Sequence, residues 1–199
     1  MKNKELLKIS KLFADKYCMN NNGALSYSLI KHKGFAILKG LFLEQSIEKE
    51  SFYIQFFLQP LYVPSSTLDL SFGERIGQQW NIDSLYANID VIDSFMNKIP
   101  ELSTFIDVTN ALLNLLIPYY GSIDNKWLFL AYTYLIIESS VNAQFYLEKI
   151  LTLDNENRWY DDQIKAANNM TKLLENYQYE KIMEILFSWQ KQTMKKLKL

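Results

Sequence analysis

Residues 51–59 read Ser51-Phe52-Tyr53-Ile54-Gln55-Phe56-Phe57-Leu58-Gln59, and this stretch decides the fold. Large apolar side chains at the even positions alternate with Tyr53, Gln55, Phe57 and Gln59 at the odd positions. A period of two is that of a β-strand with one face toward a core, and aromatic side chains favour that conformation. The stretch therefore predicts a strand whose even-numbered side chains are buried.

The segments on either side of this stretch extend the prediction to a sheet. Three further strands are predicted, at residues 24–30, 35–43 and 67–73. The connections at 31–34 and 44–50 are short and polar, and Pro60 and Pro64 end the pairing after the third strand. Short connections join antiparallel neighbours. We predict a four-stranded antiparallel meander over about residues 24–73.

Helical periodicity is found on both sides of the predicted sheet. An apolar stripe at spacings of three and four predicts a first helix, from Leu6, Ile9, Leu12, Phe13 and Tyr17, which Asn20–Gly23 would stop. Six more helices are predicted at about 85–99, 102–117, 124–137, 141–153, 159–175 and 179–197. Asp124 is the predicted N-cap of the third of these. Short connections between them favour antiparallel packing.

Together these elements predict an α+β fold in a single domain of residues 1–199. The sub-region 1–82 would hold the first helix and the antiparallel sheet, and the sub-region 83–199 about six packed antiparallel helices. No Ser/Pro-rich linker or low-complexity tract separates the two sub-regions.

One helical hairpin, residues 124–155, resembles the tetratricopeptide repeat family. The matching side chains are Trp127, Leu130, Ala131 and Tyr134 on the first helix and Ala143, Leu147 and Ile150 on the second. Glu138 stands where the family has glycine, and Asn155 stands where it has the terminal proline. A degenerate second copy would span 159–197. The resemblance implies binding of a protein or peptide, although one or two hairpins are too few for a free solenoid.

The counts of reactive residues exclude several kinds of chemistry. The chain has one cysteine, Cys18, and one histidine, His32, so neither an intrachain disulfide nor a multi-histidine metal site can form within it. Gly73–Gly77 contains two glycines without the Lys-Ser/Thr of a phosphate-binding loop. We therefore predict no catalytic constellation, no metal and no cofactor.

Composition also bears on location. The longest apolar stretch, Trp127–Ile137, is far shorter than the roughly 20 residues that cross a bilayer, and no signal peptide is recognisable. A lone thiol fits a reducing compartment, so we expect a cytoplasmic protein that needs no membrane. Lysine outnumbers arginine 19 to 2, which is typical of an AT-rich, bacterial coding genome.

Charge is distributed unevenly along the chain. The net charge of −1 argues against a general nucleic-acid binder. It is the balance of +4 over residues 1–50, −9 over residues 51–180 and +4 over residues 181–199. Such asymmetry either steers a partner or pairs up across the fold. The charge pattern therefore leaves electrostatic recognition of a partner open, but it does not indicate which surface would take part.

Five residues are candidates for contact with a ligand or partner. If the even-numbered residues of 51–59 face the core, Tyr53 and Phe57 lie on the other face of the sheet. Either a helix covers that face, or it is an exposed aromatic patch that binds a partner, together with Tyr62 and Trp80. Arg75 is the candidate for a small anion site.

These observations favour a non-catalytic protein–protein interaction module, of adaptor or immunity type, with a homo-oligomer left open. One alternative is a metal-independent hydrolase or nucleotide-binding enzyme whose carboxylates converge only in three dimensions. The other is a small-ligand binder with its pocket between sheet and helices. A deep polar pocket holding Arg75 and two carboxylates would favour the enzyme, and a flat apolar surface around Tyr53 and Phe57 would exclude it.

Overall fold

The sheet is an antiparallel meander of five strands in chain order. The computed structural model describes residues 3–48, 50–121, 123–153 and 161–199. Its strands are β1 (Asn20–Asn22), β2 (Leu25–His32), β3 (Phe35–Gln45), β4 (Phe52–Pro60) and β5 (Phe72–Trp80). Its helices are α1 (Asn3–Lys16), α2 (Ile82–Ala87), α3 (Ile89–Lys98), α4 (Phe105–Leu113), α5 (Ile123–Ile136), α6 (Ser140–Leu151), α7 (Asp161–Glu175) and α8 (Tyr179–Leu197). The predicted α+β class is confirmed.

The inner face of the sheet carries the main core. The even-numbered side chains of β4, which are Phe52, Ile54, Phe56 and Leu58, are all buried there, as the alternation predicts. The same core continues through side chains of α1 and of every helix from α4 to α8. The side chains buried on this face therefore pack the sheet against the helical region.

The outer face of the sheet carries a second, smaller core. It contains Leu25, Ala36, Leu38, Phe57 and Leu61. The loop after β4 covers part of it with Leu68 and Leu70, and the end of α8 covers more with Met194, Leu197 and Leu199. Of the two alternatives for this face, the covered one is confirmed for Phe57.

Two parts of the predicted sheet are wrong. Residues 67–71 form a loop, and the strand after it is β5, at 72–80. The loop is held by Gln59, whose Nε2 donates to the carbonyl of Thr67 (3.2 Å) and whose Oε1 accepts from the N–H of Asp69 (3.1 Å). An irregular register between β4 and β5 hides the period of two in β5. The first helix does end before Asn20, as predicted, but Asn20–Asn22 also form a fifth strand that was not predicted, the short edge strand β1.

The helices agree with prediction most closely from residue 123 onward. The predicted helix at 85–99 is two helices, α2 and α3, divided at Asn88, and the helix predicted over 102–117 is the shorter α4. Asp124 is not an N-cap, because α5 begins at Ile123 and Asp124 lies buried within its first turn. The predicted stretch 154–160 lies outside the described residues.

Several helices end on a left-handed residue that is not glycine. Cys18, Leu115, Glu138, Tyr177 and Lys198 have φ between 54° and 61°. After α5, the N–H of Ser139 donates to the carbonyl of Tyr134 (2.8 Å) and the N–H of Glu138 to that of Leu135 (3.2 Å). These are the two hydrogen bonds of a Schellman motif. Because none of these residues is glycine, the sequence did not indicate these helix ends by the glycine that commonly follows a helix.

Candidate functional site

Three of the five candidate residues are structural. Phe57 and Tyr62 are completely buried, and the Tyr62 hydroxyl shares a hydrogen bond with Thr133 of α5. Burial raises the pKa of Tyr62 above its usual range, so the phenol stays neutral. Trp80 is 6% exposed, and its Nε1 donates to the carbonyl of Ile76 (2.7 Å). These side chains hold the sheet and helices together and are not available to a partner.

The remaining two candidates, Tyr53 and Arg75, lie together on the outer face. The Arg75 guanidinium carbon stacks 3.9 Å from the centre of the Tyr53 ring. Its Nη2 lies 3.3 Å from Oε2 of Glu44, which pairs with Tyr53 in the β3–β4 register. The guanidinium is about half exposed. Because its charge is shared with a carboxylate and a ring, this cluster is a weak site for an anion.

A groove that the sequence did not indicate lies where three turns meet. These are the β2–β3 turn at Lys33–Gly34, the α5–α6 turn at Glu138–Ser139 and the α7–α8 turn at Tyr177–Gln178. We call this the turn groove; its lining is Lys33, Phe35, Leu135, Ile136, Glu138, Ser140, Tyr179, Met183 and Phe187. Its volume is about 500 Å³. A concave site of this size is in the range that holds a small ligand or a partner's side chain.

The floor of the turn groove is apolar. The rings of Phe35 and Phe187 stack with centroids 4.0 Å apart. Leu135 and Ile136 are buried at the end of α5, and Met183 of α8 is half-buried beside them. Removing such a surface from water is favourable for any apolar group that fits it.

Two polar bridges form the rim of the turn groove. The Lys33 ammonium pairs with the Glu138 carboxylate, and the hydroxyls of Ser140 and Tyr179 share a 3.2 Å hydrogen bond. The hydrogen bond from Lys33 holds the pKa of Glu138 below its usual range. Because each rim charge has an opposite partner, the rim favours an uncharged occupant.

The two residues of the charged bridge share an unusual backbone conformation. Lys33 has φ 48° in the β2–β3 turn, and Glu138 has φ 61° at the end of α5. The one sequence signal for this arrangement was Glu138 at the position where the tetratricopeptide family has glycine. Glu138 adopts the left-handed backbone that glycine favours, and its carboxylate reaches Lys33.

The described residues hold no group of three or more His, Cys, Asp or Glu side chains that could bind a metal ion. In the part of the chain that is described, no helix is both long and apolar enough to cross a membrane.

Comparison with protein-family models, with curated proteins and with solved structures finds no match to this chain.

Proposed function

We propose that this protein is a non-catalytic protein–protein interaction module, acting in the cytoplasm, whose turn groove accepts an apolar side chain of a protein partner. The observation that carries the proposal is the groove itself: about 500 Å³, with a floor of stacked rings and aliphatic side chains. Protein partners commonly bind through a few apolar anchors that enter such pockets.

Exposed side chains close in sequence to the lining residues Ser140 and Tyr179 support a protein as the occupant. Tyr177, at the α7–α8 turn, is 80% exposed, and Val141, in the first turn of α6, is 82% exposed. A small molecule held in the groove would leave these two side chains in water. A protein surface would cover them while its anchor fills the groove.

The rim supports binding over catalysis. The carboxylate of Glu138 is bonded to Lys33, and the Ser140 hydroxyl is bonded to a phenol and not to a basic group. A nucleophile needs a neighbouring base to activate it. The resemblance of the α5–α6 hairpin to tetratricopeptide repeats also favours protein binding, since this hairpin supplies Leu135, Ile136 and Glu138 to the groove.

The second candidate function is binding of a small apolar ligand. It is favoured by the position of the groove between the β2–β3 turn and three helices, which surrounds a ligand on several sides. This candidate differs from the first in one measurable respect. A small ligand would stay with the purified protein or be replaced by another small molecule, without any protein partner.

The test compares three tagged baits in lysate of the source organism by quantitative mass spectrometry: wild type, Met183→Glu and Ser188→Glu. Met183→Glu places a charge in the apolar floor, and Ser188→Glu adds the same charge at an exposed position of the same helix. We expect one near-stoichiometric protein with the wild type and Ser188→Glu, reduced at least tenfold with Met183→Glu.

Two results would contradict the proposal. Retention of the same protein by Met183→Glu would show that the turn groove takes no part in the interaction. Enrichment of no protein, combined with a small molecule seen on the wild type but not on Met183→Glu by native mass spectrometry, would establish the second candidate instead. Circular dichroism of each bait verifies that it is folded.

A further inference from the structure

A second cavity lies between α5, α7, α8 and the loop after β4. We call it the α5–α7 cavity; its lining is Val63, Pro64, Asn125, Leu128, Tyr132, Asp162, Gln163, Ala166 and Trp189. It shares no lining residue with the turn groove. Its volume is about 250 Å³. Drug-sized ligands occupy about 300–1,000 Å³, so this cavity fits a smaller molecule.

One side-chain oxygen of this lining lacks a hydrogen bond. Oε1 of Gln163, in the first turn of α7, is buried and has no hydrogen-bond partner among the described residues. A carbonyl oxygen of this kind can only accept a hydrogen bond, and leaving it buried without a donor costs free energy. An occupant of the cavity that carries an N–H or O–H group would supply the missing donor.

A buried carboxylate stands beside the same cavity. Asp124, in the first turn of α5, is 2% exposed, and its Oδ1 also lacks a hydrogen-bond partner in the described part of the chain. Asp124 precedes the lining residue Leu128 by four positions, and residues at that spacing lie on the same side of a helix. Because an isolated buried carboxylate is costly, a positive charge next to it stabilises the fold.

The lining favours a cation over an anion. Among the described residues that line the cavity there is no Lys, Arg or His, and the one charged residue is Asp162. The Asp162 carboxylate is fully exposed and lies 3.7 Å from Lys165, an exposed ion pair that contributes little. The rings of Tyr132 and Trp189 have centroids 5.4 Å apart, and aromatic faces attract positive charge.

The rest of the lining is apolar. It consists of Val63, Pro64, Leu128 and Ala166. These side chains suit an aliphatic chain attached to the charged group, whose transfer from water is favourable. A metal ion such as Mg²⁺ or Ca²⁺ would need six or more oxygen ligands around it instead.

We propose that the α5–α7 cavity binds a small aliphatic primary amine in its protonated form. The ammonium group donates to Oε1 of Gln163 and offsets the charge of Asp124, while the chain packs on the apolar lining. A quaternary ammonium ion carries the same charge but has no N–H to donate, so it would leave Gln163 unpaired. The proposal goes beyond the proposed function, because it stands whether or not the turn groove binds a protein.

Titration of isotope-labelled protein, followed by proton–nitrogen NMR at pH 7, tests the proposal. The probes are butylamine, butanol and tetramethylammonium chloride, whose organic parts each have five non-hydrogen atoms. We expect butylamine to shift the indole N–H signal of Trp189 and to saturate with a Kd in about the millimolar range, as is typical of so small a ligand. Butanol and tetramethylammonium should bind at least tenfold more weakly. Trp189→Phe identifies the indole signal.

Two variants test where the ammonium group lies. Gln163→Met removes the acceptor with little change in side-chain length, and Asp124→Asn removes the charge; we expect each to weaken butylamine binding about tenfold or more. The matched controls are Asn168→Met, at an exposed position of α7, and Asp90→Asn, at an exposed position in the first turn of α3. Each control should change binding less than twofold. The other signals in the spectrum verify that each variant is folded.

Four results would overturn the proposal. No saturable shift with butylamine would show that the cavity takes only water. Equal binding of butanol would show that positive charge has no role, and equal binding of tetramethylammonium would show that no donor is required. Unchanged binding by Gln163→Met or by Asp124→Asn would place the amine elsewhere on the protein.

Discussion

The side-chain amide of Gln190 in α8 pairs with the backbone at the β2–β3 turn. Its Nε2 donates to the carbonyl of Gly34 (2.9 Å), and its Oε1 accepts from the N–H of Ala36 (2.8 Å). Gln190 is 7% exposed. The amide thus makes the hydrogen bonds that a neighbouring strand would make with this backbone. These bonds fix the position of α8, which lines the turn groove and, further along, packs on the outer face of the sheet.

Replacing Gln190 by leucine leaves these two backbone groups without partners. We expect Gln190→Leu to lower the free energy of unfolding by about 2–4 kcal/mol, since a buried polar group without a hydrogen bond costs about 1–3 kcal/mol. Urea denaturation measures the change. Gln192→Leu is the matched control, because Gln192 is exposed on the same helix, and it should change stability by less than about 0.5 kcal/mol. Equal effects would show that the bridge contributes nothing.

Glycine should stabilise the helix ends that hold large side chains in the left-handed conformation. Leu115 and Tyr177 have φ 55° and are 74% and 80% exposed, so each loses little packing when shortened. We expect Leu115→Gly and Tyr177→Gly each to raise the free energy of unfolding by about 0.5–1 kcal/mol.

The control for these substitutions is glycine in a regular helix. Lys172→Gly, at an exposed position inside α7, should lower stability by about 1 kcal/mol. Thermal unfolding of the three variants side by side gives the comparison. A loss of stability in both Leu115→Gly and Tyr177→Gly would show that those side chains make contacts that outweigh the backbone strain.

The ion pair between α1 and α3 predicts a dependence of stability on pH. Hydrogen bonds from Lys16 (2.8 Å) and from the Tyr17 hydroxyl (2.8 Å) hold the pKa of Asp93 below its usual range. A carboxyl whose pKa is lower in the folded state stabilises the fold above its unfolded pKa of about 4, and this contribution is lost as pH falls through the folded pKa.

Asp93→Asn tests this dependence. The difference in stability between wild type and variant should be largest near neutral pH and should shrink as pH falls below about 4. Urea denaturation between pH 3 and pH 7 gives the difference, and carbon NMR of the Asp93 carboxyl gives its pKa directly. An Asp93 pKa at or above about 3.9 would contradict the ion pair.

Gly40 in β3 should tolerate no side chain. A Cβ there would lie 2.3 Å from the carbonyl oxygen of Ser26 in the adjacent strand. Gly23, by contrast, has open space around its Cβ position but φ +63°. We expect Gly40→Ala to cost about 3 kcal/mol or to prevent folding, and Gly23→Ala to cost about 1 kcal/mol. Soluble yield and urea denaturation measure both, and equal costs would show that β2 and β3 can separate freely.

Much of the architecture could be predicted because local patterns carry it. The alternation in 51–59 and the three-and-four spacing from residue 123 onward correspond directly to β4 and to the described parts of α5–α8. The pattern failed at β5, where a register shift interrupts the period of two, and at helix ends where residues such as Glu138 take the place of glycine. In these places long-range packing overrides the local preference of the chain.

The candidate site could be predicted far less well. Tyr53 and Phe57 were correctly predicted on the outer face of the sheet. However, Phe57, Tyr62 and Trp80 were chosen as partner contacts because they are aromatic, and all three are buried. Nothing local distinguishes an aromatic side chain that binds a partner from one that fills a core, because both need large apolar surface.

The sequence by itself determined the α+β class, the face of β4 that is buried, and the residue types that are too few for familiar catalytic constellations. These follow from periodicity and from counts, which need no knowledge of distant contacts. Only the tertiary structure decided that turns remote in sequence enclose the groove and that the end of α8 covers part of the outer face. Each of these joins residues remote in sequence, and their proximity depends on how the whole chain packs.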